Sequence, residues 1–552
     1  MNLFRVRIRY LLSSDCIDKG SLVWKIFPTR LICTQLQNGY TQGSIFVCVF
    51  MKEKIALVWF KKDLRVKDHA PLDLAMKQWF HVVGLYCFEP SIMNQPDRSC
   101  FHGQFIKESL IDLKQELDAL HIPLLVLKDE FLSSVNLLRK ELSITWIYAH
   151  EETGNQATYA RDLKVHAGLR SHKIPFHEFP TNGVVRRLSD RDAWQWIWKE
   201  RMQTPIIEVP SAQDPFLLPE SISKASLKLS SKRTYSLLQH WWLSHANKTL
   251  EAFLQQSNSL YTYHVWRPHE STKSCSRLSP YLSYGTLSLK QIYHPTNWKR
   301  TSLTELRAQH KKWTKEWQKI ARSIRQVDAF TSRLHWHCHF IQKLESEVAY
   351  ETQNIHPYYD RIRNKDNKDL LEAWKDGRTW YPLIDAAMRC LRSTGRINFR
   401  LRATVVSFIC NTCMQHRKEP ALHLAKLFLD YEPWIHYPQF QMQAGTTGIN
   451  QYRIYNPTKQ LLEKDDTWTF IDTRIPELRQ VPMPLKAEPR KLKWSLFGNE
   501  YGVEIWVDYP LPIVDLEEAN RKARTILRDL KKSKGFREIA AEIYQRHGSR
   551  RR

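Results

Sequence analysis

No run of about 18 apolar residues occurs in this 552-residue chain, so a membrane-spanning helix of ordinary length is excluded. No G-x-G-x-x-G and no P-loop follows the first apolar stretch near residue 55, which leaves an ordinary dinucleotide or nucleoside triphosphate site without support. The ten cysteines have no framework spacing and read as the reduced thiols of an intracellular protein. The lone C-x-x-C, Cys410 to Cys413, has no second pair, and structural zinc needs four ligands; no metal site is expected.

What is present is positive charge: 83 Lys and Arg against 57 Asp and Glu give +26. Such a balance favours a polyanionic partner, nucleic acid ahead of anionic membrane. The 20 Trp and 22 Tyr fit either a core or stacking on bases and flat cofactors. Length suggests two to four domains of about 150 residues.

Residues 1–50 are rich in Arg and Lys and hold only Asp15 and Asp18 as acids. They read as an extension outside the fold, upstream of a start at Met51, or as an organelle-targeting segment. With a start at Met51 the expected place is the cytoplasm or nucleoid. From residue 54 the runs Ile55–Phe60, Val82–Phe88, Pro123–Leu127 and Ile144–Ala149 have the continuous apolar character of buried parallel strands, separated by helical stretches such as Gln104–Leu120. This predicts a doubly wound parallel α/β domain over 51–180, with ligands beyond the strand C-termini. A connector over 181–250 follows, where Trp194, Trp196 and Trp198 read as core. A large all-α domain is expected over 251–485, including helical stretches Leu303–Ile324, Phe330–Ala349 and Leu370–Leu391. The segment 486–552 ends in an amphipathic helix, Glu517–Leu530, and a frayed basic tail from Lys531.

The stretch Arg396-Ile-Asn-Phe-Arg-Leu-Arg402 draws the helical half together. On a helix Arg400 and Arg402 differ in direction by roughly 200°. One can turn to a buried partner while the other reaches the surface. Alone, such a pair is ordinarily two solvated arginines.

Four further motifs give this stretch its context. Leu57-Val-Trp-Phe-Lys-Lys-Asp-Leu-Arg65 is followed by Asp68-His69, and Ser276-Arg-Leu-Ser-Pro-Tyr-Leu282 by Gly285-Thr-Leu-Ser288. Trp374-Lys-Asp-Gly-Arg-Thr-Trp-Tyr-Pro-Leu-Ile-Asp-Ala-Ala-Met-Arg389 comes next, then Arg453-Ile-Tyr-Asn-Pro457 with Pro476-Glu-Leu478. In this order, over residues 51–530, they resemble the DNA photolyase/cryptochrome family. The resemblance implies FAD in the helical domain, often with a second antenna chromophore of folate or deazaflavin type in the α/β domain. Carried over residue by residue, it places cofactor contacts on Tyr263, on Cys275, Ser276, Arg277, Leu278 and Ser279, and on Arg402, Asp430, Tyr431 and Glu432. Ser276 and Ser279 stand near a helix start, where free N–H groups suit a diphosphate, although a lone serine there is ordinarily a cap. Arg402 and Asp430 resemble an Arg–carboxylate pair beside the flavin ring. Trp336 resembles the tryptophan that stacks on a flipped lesion, and Arg400 and Phe399 fall at the DNA-facing rim.

Three positions depart from the family's pattern. His436 stands where photolyases have Asn and plant cryptochromes Asp, and its charge is expected to switch near neutral pH. Trp374 matches the surface member of the family's tryptophan chain, but the flavin-proximal and middle positions read Phe440 and Arg417; Trp434, Tyr437 or Trp380 would supply another route. Asn398 and Phe399 replace the His pair of animal (6-4) photolyases. The expected activity is that of a deoxyribodipyrimidine photo-lyase, a carbon–carbon lyase in which light-excited reduced FAD passes an electron to a pyrimidine dimer of cyclobutane type. The catalytic side chains would be Trp336, Arg400, His436 and Trp374. The alternative is a cryptochrome-type blue-light receptor. Dimer-containing DNA is the expected partner, no membrane is involved, and the protein is expected to act as a monomer.

Overall fold

A computed structural model describes residues 54–548 apart from 79–80, 231–234, 237–238, 240–242, 256–259, 346, 364–365, 451, 495–500, 502–507 and 510, together with two strands before residue 53. Those strands, Thr29–Gln37 and Ser44–Lys52, pair antiparallel as a sheet of their own. The remainder of the 1–50 extension lies outside the described residues.

The apolar runs form β1 (Lys54–Phe60), β2 (His81–Cys87), β3 (Leu124–Leu127) and β4 (Ser143–His150), and a fifth strand, β5 (Phe176–Phe179), completes a parallel sheet of order β3-β2-β1-β4-β5. Successive strand side chains alternate faces. Ala56, Val58 and Phe60 join one core, with Leu72 of the helix Ala70–Lys77 and Phe105 and Leu113 of the helix Cys100–Asp118. Ile55, Leu57 and Trp59 join the core on the other face, with Phe131 and Val165 from the helices Phe131–Leu138 and Gln156–Ser171. Both faces are covered, as continuous apolar strands require. The chain reverses direction across the sheet between β1 and β4. The doubly wound α/β domain followed by a mostly helical one is therefore the observed architecture.

The connector runs along the β3 edge, where the Leu227 N–H donates to the Val126 carbonyl at 2.8 Å and covers an otherwise open edge. Trp194 and Trp198 are core, as expected, but Trp196 is exposed on the outer face of the helix Trp194–Gln203.

Several helix boundaries differ from the sequence reading. Leu303–Ile324 is not one helix. The chain turns between Leu289–Ala308 and Lys315–Glu345, with Trp313 in the left-handed region at φ 72°. Leu370–Leu391 is likewise two helices, Lys368–Asp376 and Pro382–Thr394. Gly377 caps the first at φ 65°, which favours glycine, and Pro382 opens the second. Between them the buried Asp385 carboxylate accepts from the Thr379 and Trp380 N–H groups and from the Tyr509 hydroxyl. The tail is not frayed at Lys531: Leu516–Lys532 is followed by a docked helix, Phe536–His547, whose Phe536 ring stacks on His356 at 3.9 Å.

The two halves are fastened at several places, among them a close seam at Gly285. The Leu64 N–H donates to the Tyr284 carbonyl at 3.2 Å and Arg65 Nη1 to the Gly285 carbonyl at 2.9 Å. Gly285 has φ 67°, and a Cβ there would meet the Lys62 carbonyl oxygen at 2.2 Å. Among the described residues, no helix is long and apolar enough to cross a membrane.

Candidate functional site

The helix Phe399–Ser407 is opened by Asn398, whose Oδ1 accepts from the Leu401 N–H at 2.9 Å. That cap fixes the phase of the helix, and the two arginines point apart. Arg402 Nη2 donates to both Asp430 carboxylate oxygens at 2.8 Å, and its guanidinium lies 3.9 Å from the Phe428 ring centroid. A single nitrogen makes both bonds, so the contact is not the two-pronged fork expected of Arg and carboxylate. Burial works to raise the Asp430 carboxyl, but the Arg402 charge and a hydrogen bond from Ser279 outweigh it and hold the group below its usual range.

This pair borders a cavity of about 720 Å³, within the range of ordinary ligand sites. Its lining includes Cys275, Ser276, Arg277 and Ser279 from one segment and Arg396, Asn398, Phe399, Arg402 and Asp430 from others. Arg396 is lowered by burial and by the neighbouring Arg277 charge. Arginines gathered on the lining of a cavity suit an anion, and with the serine segment they fit a diphosphate. Burial pushes the Cys275 thiol up to about 11, so it stays neutral.

Beyond Arg402 a smaller recess continues, lined by Tyr431, Glu432, His436 and Phe440. Glu432 accepts from His337 at 2.9 Å and from the Ser283 hydroxyl at 3.0 Å. Burial opposes the charge on both members. Nevertheless the carboxylate carries His337 up to about 10, and His337 holds Glu432 below its usual range. This is a charged pair, largely but not fully shielded from solvent.

His436 behaves differently from expectation. Its Nε2 faces the Ala421 carbonyl at 2.9 Å, and burial pushes it down to about 4. It is neutral near pH 7, with the proton on Nε2 and Nδ1 left as acceptor. No charge switch operates there at neutral pH.

At the surface, Trp336 is 43% exposed with the Arg333 guanidinium 4.4 Å over its ring. The same guanidinium stands 5.9 Å from Phe399, whose ring lies 6.0 Å from Trp266. Arg400 covers Trp266 at 4.7 Å and Tyr455 at 5.3 Å. Trp336, Phe399 and Arg400 thus share one aromatic, cationic rim, and Phe399 also lines the cavity.

Three expected site residues lie elsewhere. Tyr263 is 56% exposed, with its hydroxyl accepting from Arg267, and lies off the cavity. The Leu278 side chain is in the core. Trp374 is not a surface residue: it is fully buried, and its indole N–H donates to the Val405 carbonyl at 3.2 Å. It ends an amphipathic helix whose apolar face must be covered. Arg417 is buried too, its Nε donating to Asn354 at 2.7 Å, and burial lowers it to about 10. Sequence reasoning missed His337, Arg333 and Arg396. Arg333 stands three residues before Trp336 on one helix and could have been found by that spacing. His337 could not, since Glu432 is 95 positions away.

At the strand C-termini, where ligands of such sheets bind, the crevice beyond the ends of β1 and β2 holds only about 50 Å³. Trp59 stacks on Phe131 at 3.7 Å, and Arg161 donates to Glu89, Glu152 and Asp162. Nearby, the buried Asp63 Oδ2 accepts from His69 Nε2 at 3.0 Å and His150 Nδ1 at 2.8 Å. The Leu72 N–H occupies His69 Nδ1, so the proton of that ring sits on Nε2, which cannot then ligate a metal.

Comparison with known proteins gives two family matches: "DNA photolyase" over residues 56–189 and "FAD binding domain of DNA photolyase" over 330–529. The chain is similar to a cryptochrome DASH of Gloeobacter violaceus, 25% identical over 84% of this chain and 94% of that one. It is similar to a deoxyribodipyrimidine photo-lyase of Escherichia coli, 28% identical over 84% of this chain and 96% of that one. In fold it is similar to a bacterial class III photolyase from Agrobacterium tumefaciens, with a TM-score of 0.72, 21% identity, and coverage of 88% and 99%.

Proposed function

The chain belongs to the DNA photolyase/cryptochrome family, and from that premise we propose that it repairs pyrimidine dimers in DNA under blue or near-ultraviolet light, with FAD as its cofactor. The observation that carries this reading is the juxtaposition of a cation-lined cavity of about 720 Å³ with the exposed rim of Trp336, Phe399 and Arg400. The chemistry that FAD supplies when bound is light absorption and one-electron transfer, redox-neutral over a repair cycle.

The chain's own residues bind and position. Ser276, Ser279, Arg277 and Arg396 would hold the diphosphate, and the Arg402 charge, kept in place by Asp430, would favour an electron-rich flavin. Arg333 and Arg400 keep the Trp336 and Trp266 faces turned to the rim. A flipped base stacked on such a face recovers roughly 1–3 kcal/mol, against a few kcal/mol for unstacking, which a damaged pair lowers. The His337–Glu432 pair fixes the recess beyond Arg402, and neutral His436 would offer the cofactor an acceptor there. Asn398 is committed to capping its helix and Phe399 cannot transfer a proton. This favours a cyclobutane dimer, whose splitting needs no side-chain acid, over a (6-4) product. We take the protein to act as a monomer within the cell.

The test is to illuminate the FAD-loaded protein with a dimer-containing oligonucleotide and follow the return of base absorbance. Repair supports the reading. Fully reduced protein that leaves the dimer intact overturns it in favour of a receptor, a reading that draws on Phe440 and Arg417 in the place of two tryptophans.

A further inference from the structure

The antiparallel hairpin of Leu289–Ala308 and Lys315–Glu345 meets the site only through the second half of its longer helix, and its outer end is unusual in two respects. Residues 299–325 hold nine Lys and Arg against Glu305 and Glu316 as the only acids. The same end displays Trp313, 67% exposed, with Trp298, 72% exposed, on the other arm. Exposed tryptophans among cations are uncommon on a surface that meets only water.

The cations are also ordered. At 3.6 residues per turn, Lys315, Lys319, Arg325 and Arg333 all point within about 60° of the direction of Arg322, and so does Trp336. Ile320, Ile324 and Val327 point the opposite way and are buried. Glu316 and Asp328 fall about 120° away, off this face, and Asp328 is engaged by Arg300 of the other arm at 2.5 Å. One straight helix face therefore runs from Trp336 at the rim to Lys315 at the tip. The span of 21 residues is about 32 Å, the length of roughly nine base pairs.

We propose that this face, with Trp313 at its end, is a second DNA-binding surface that grips the phosphate backbone flanking the lesion. The inference rests on the reading of Trp336 as the lesion contact, because that residue sets where the stripe begins. Continuity with the rim favours DNA over an anionic bilayer. A cationic stripe of this length neutralises a run of phosphates, and the affinity it adds depends on salt through released counterions. Trp313 would add an apolar contact at the far end that does not depend on sequence.

The experiment compares the FAD-loaded protein with the quadruple variant Lys315→Gln, Lys319→Gln, Arg322→Gln and Arg325→Gln, all four being exposed. Affinity is measured against salt on a long duplex with a central dimer, and on a short duplex that ends near the lesion. The log–log slope on the long duplex is expected to become about 3 to 4 units shallower, at about 0.9 per lost contact. On the short duplex the two proteins should bind alike, with unchanged flavin content. Trp313→Ala should weaken only the long duplex, by a smaller factor. Equal slopes for wild type and quadruple variant overturn the proposal. So does an unchanged slope accompanied by lost binding to phosphatidylserine vesicles, which assigns the stripe to a membrane. Wild-type protein that does not prefer dimer-bearing to undamaged DNA instead overturns the reading of the rim, a separate failure.

Discussion

The α/β crevice and the helical cavity use the same ingredients to opposite ends. In the crevice Arg161 meets three carboxylates, Glu89, Glu152 and Asp162, and the space closes to about 50 Å³. The cavity is lined by Arg277, Arg396 and Arg402, of which Arg402 is bonded to Asp430, and about 720 Å³ stays open. A buried guanidinium surrounded by acid is part of the fold. Guanidinium groups in excess over acid leave an unanswered positive field, and that field is what a ligand answers.

The contrast is broken most severely at Arg161. Arg161→Met strands the buried Glu89 and Glu152 carboxylates, leaving Asp162 to Arg186, and is expected to lower unfolding free energy by about 3 to 5 kcal/mol, read by denaturant unfolding. By comparison, Arg402→Gln should leave a folded protein that loses flavin on dialysis. Loss of a charge-assisted contact, about 1.5–3 kcal/mol, corresponds to weakening by ten-fold or more, measured by flavin fluorescence. At the rim, Trp336→Ala should keep its flavin and weaken dimer-bearing DNA by roughly 1–3 kcal/mol of lost stacking, measured by titration with the damaged oligonucleotide.

Subtler is the His337–Glu432 pair. The raised His337 contributes stability in full below its ordinary 6.5 and loses it as pH rises through about 10. The lowered Glu432 contributes above its ordinary 4.5 and fades as pH falls. The stability gap between wild type and His337→Gln should therefore be widest between pH 4.5 and 6.5 and close towards pH 10. Smallest of all is His436. It is neutral above about 4, so flavin absorbance should show no step from this residue between pH 5.5 and 8; a step that disappears in His436→Asn would contradict the geometry.

Much of this was legible in the sequence, for identifiable reasons. The four apolar runs became strands because burial on both faces leaves no other pattern. β5 escaped notice because only four residues pair, two of them the polar His177 and Glu178. Arg400 and Arg402 could be turned apart by helical period alone, whereas the partner of Glu432 depends on packing across 95 positions, which no local pattern encodes. Trp374 was misplaced because matching a motif gives a position along the chain and not a depth. Its helix buries the side that the expected electron route would have needed open.

The turn at Gly285 carries a last consequence. Its left-handed backbone presses within reach of the Lys62 carbonyl while Arg65 and Leu64 bond to the same turn. That turn follows directly on the serine segment at the cavity wall. The halves are therefore not interchangeable modules. A chimera that grafts a foreign α/β half onto this helical half must import residues 62–65 to match Gly285, or the misfit will be transmitted straight into the cofactor's cradle.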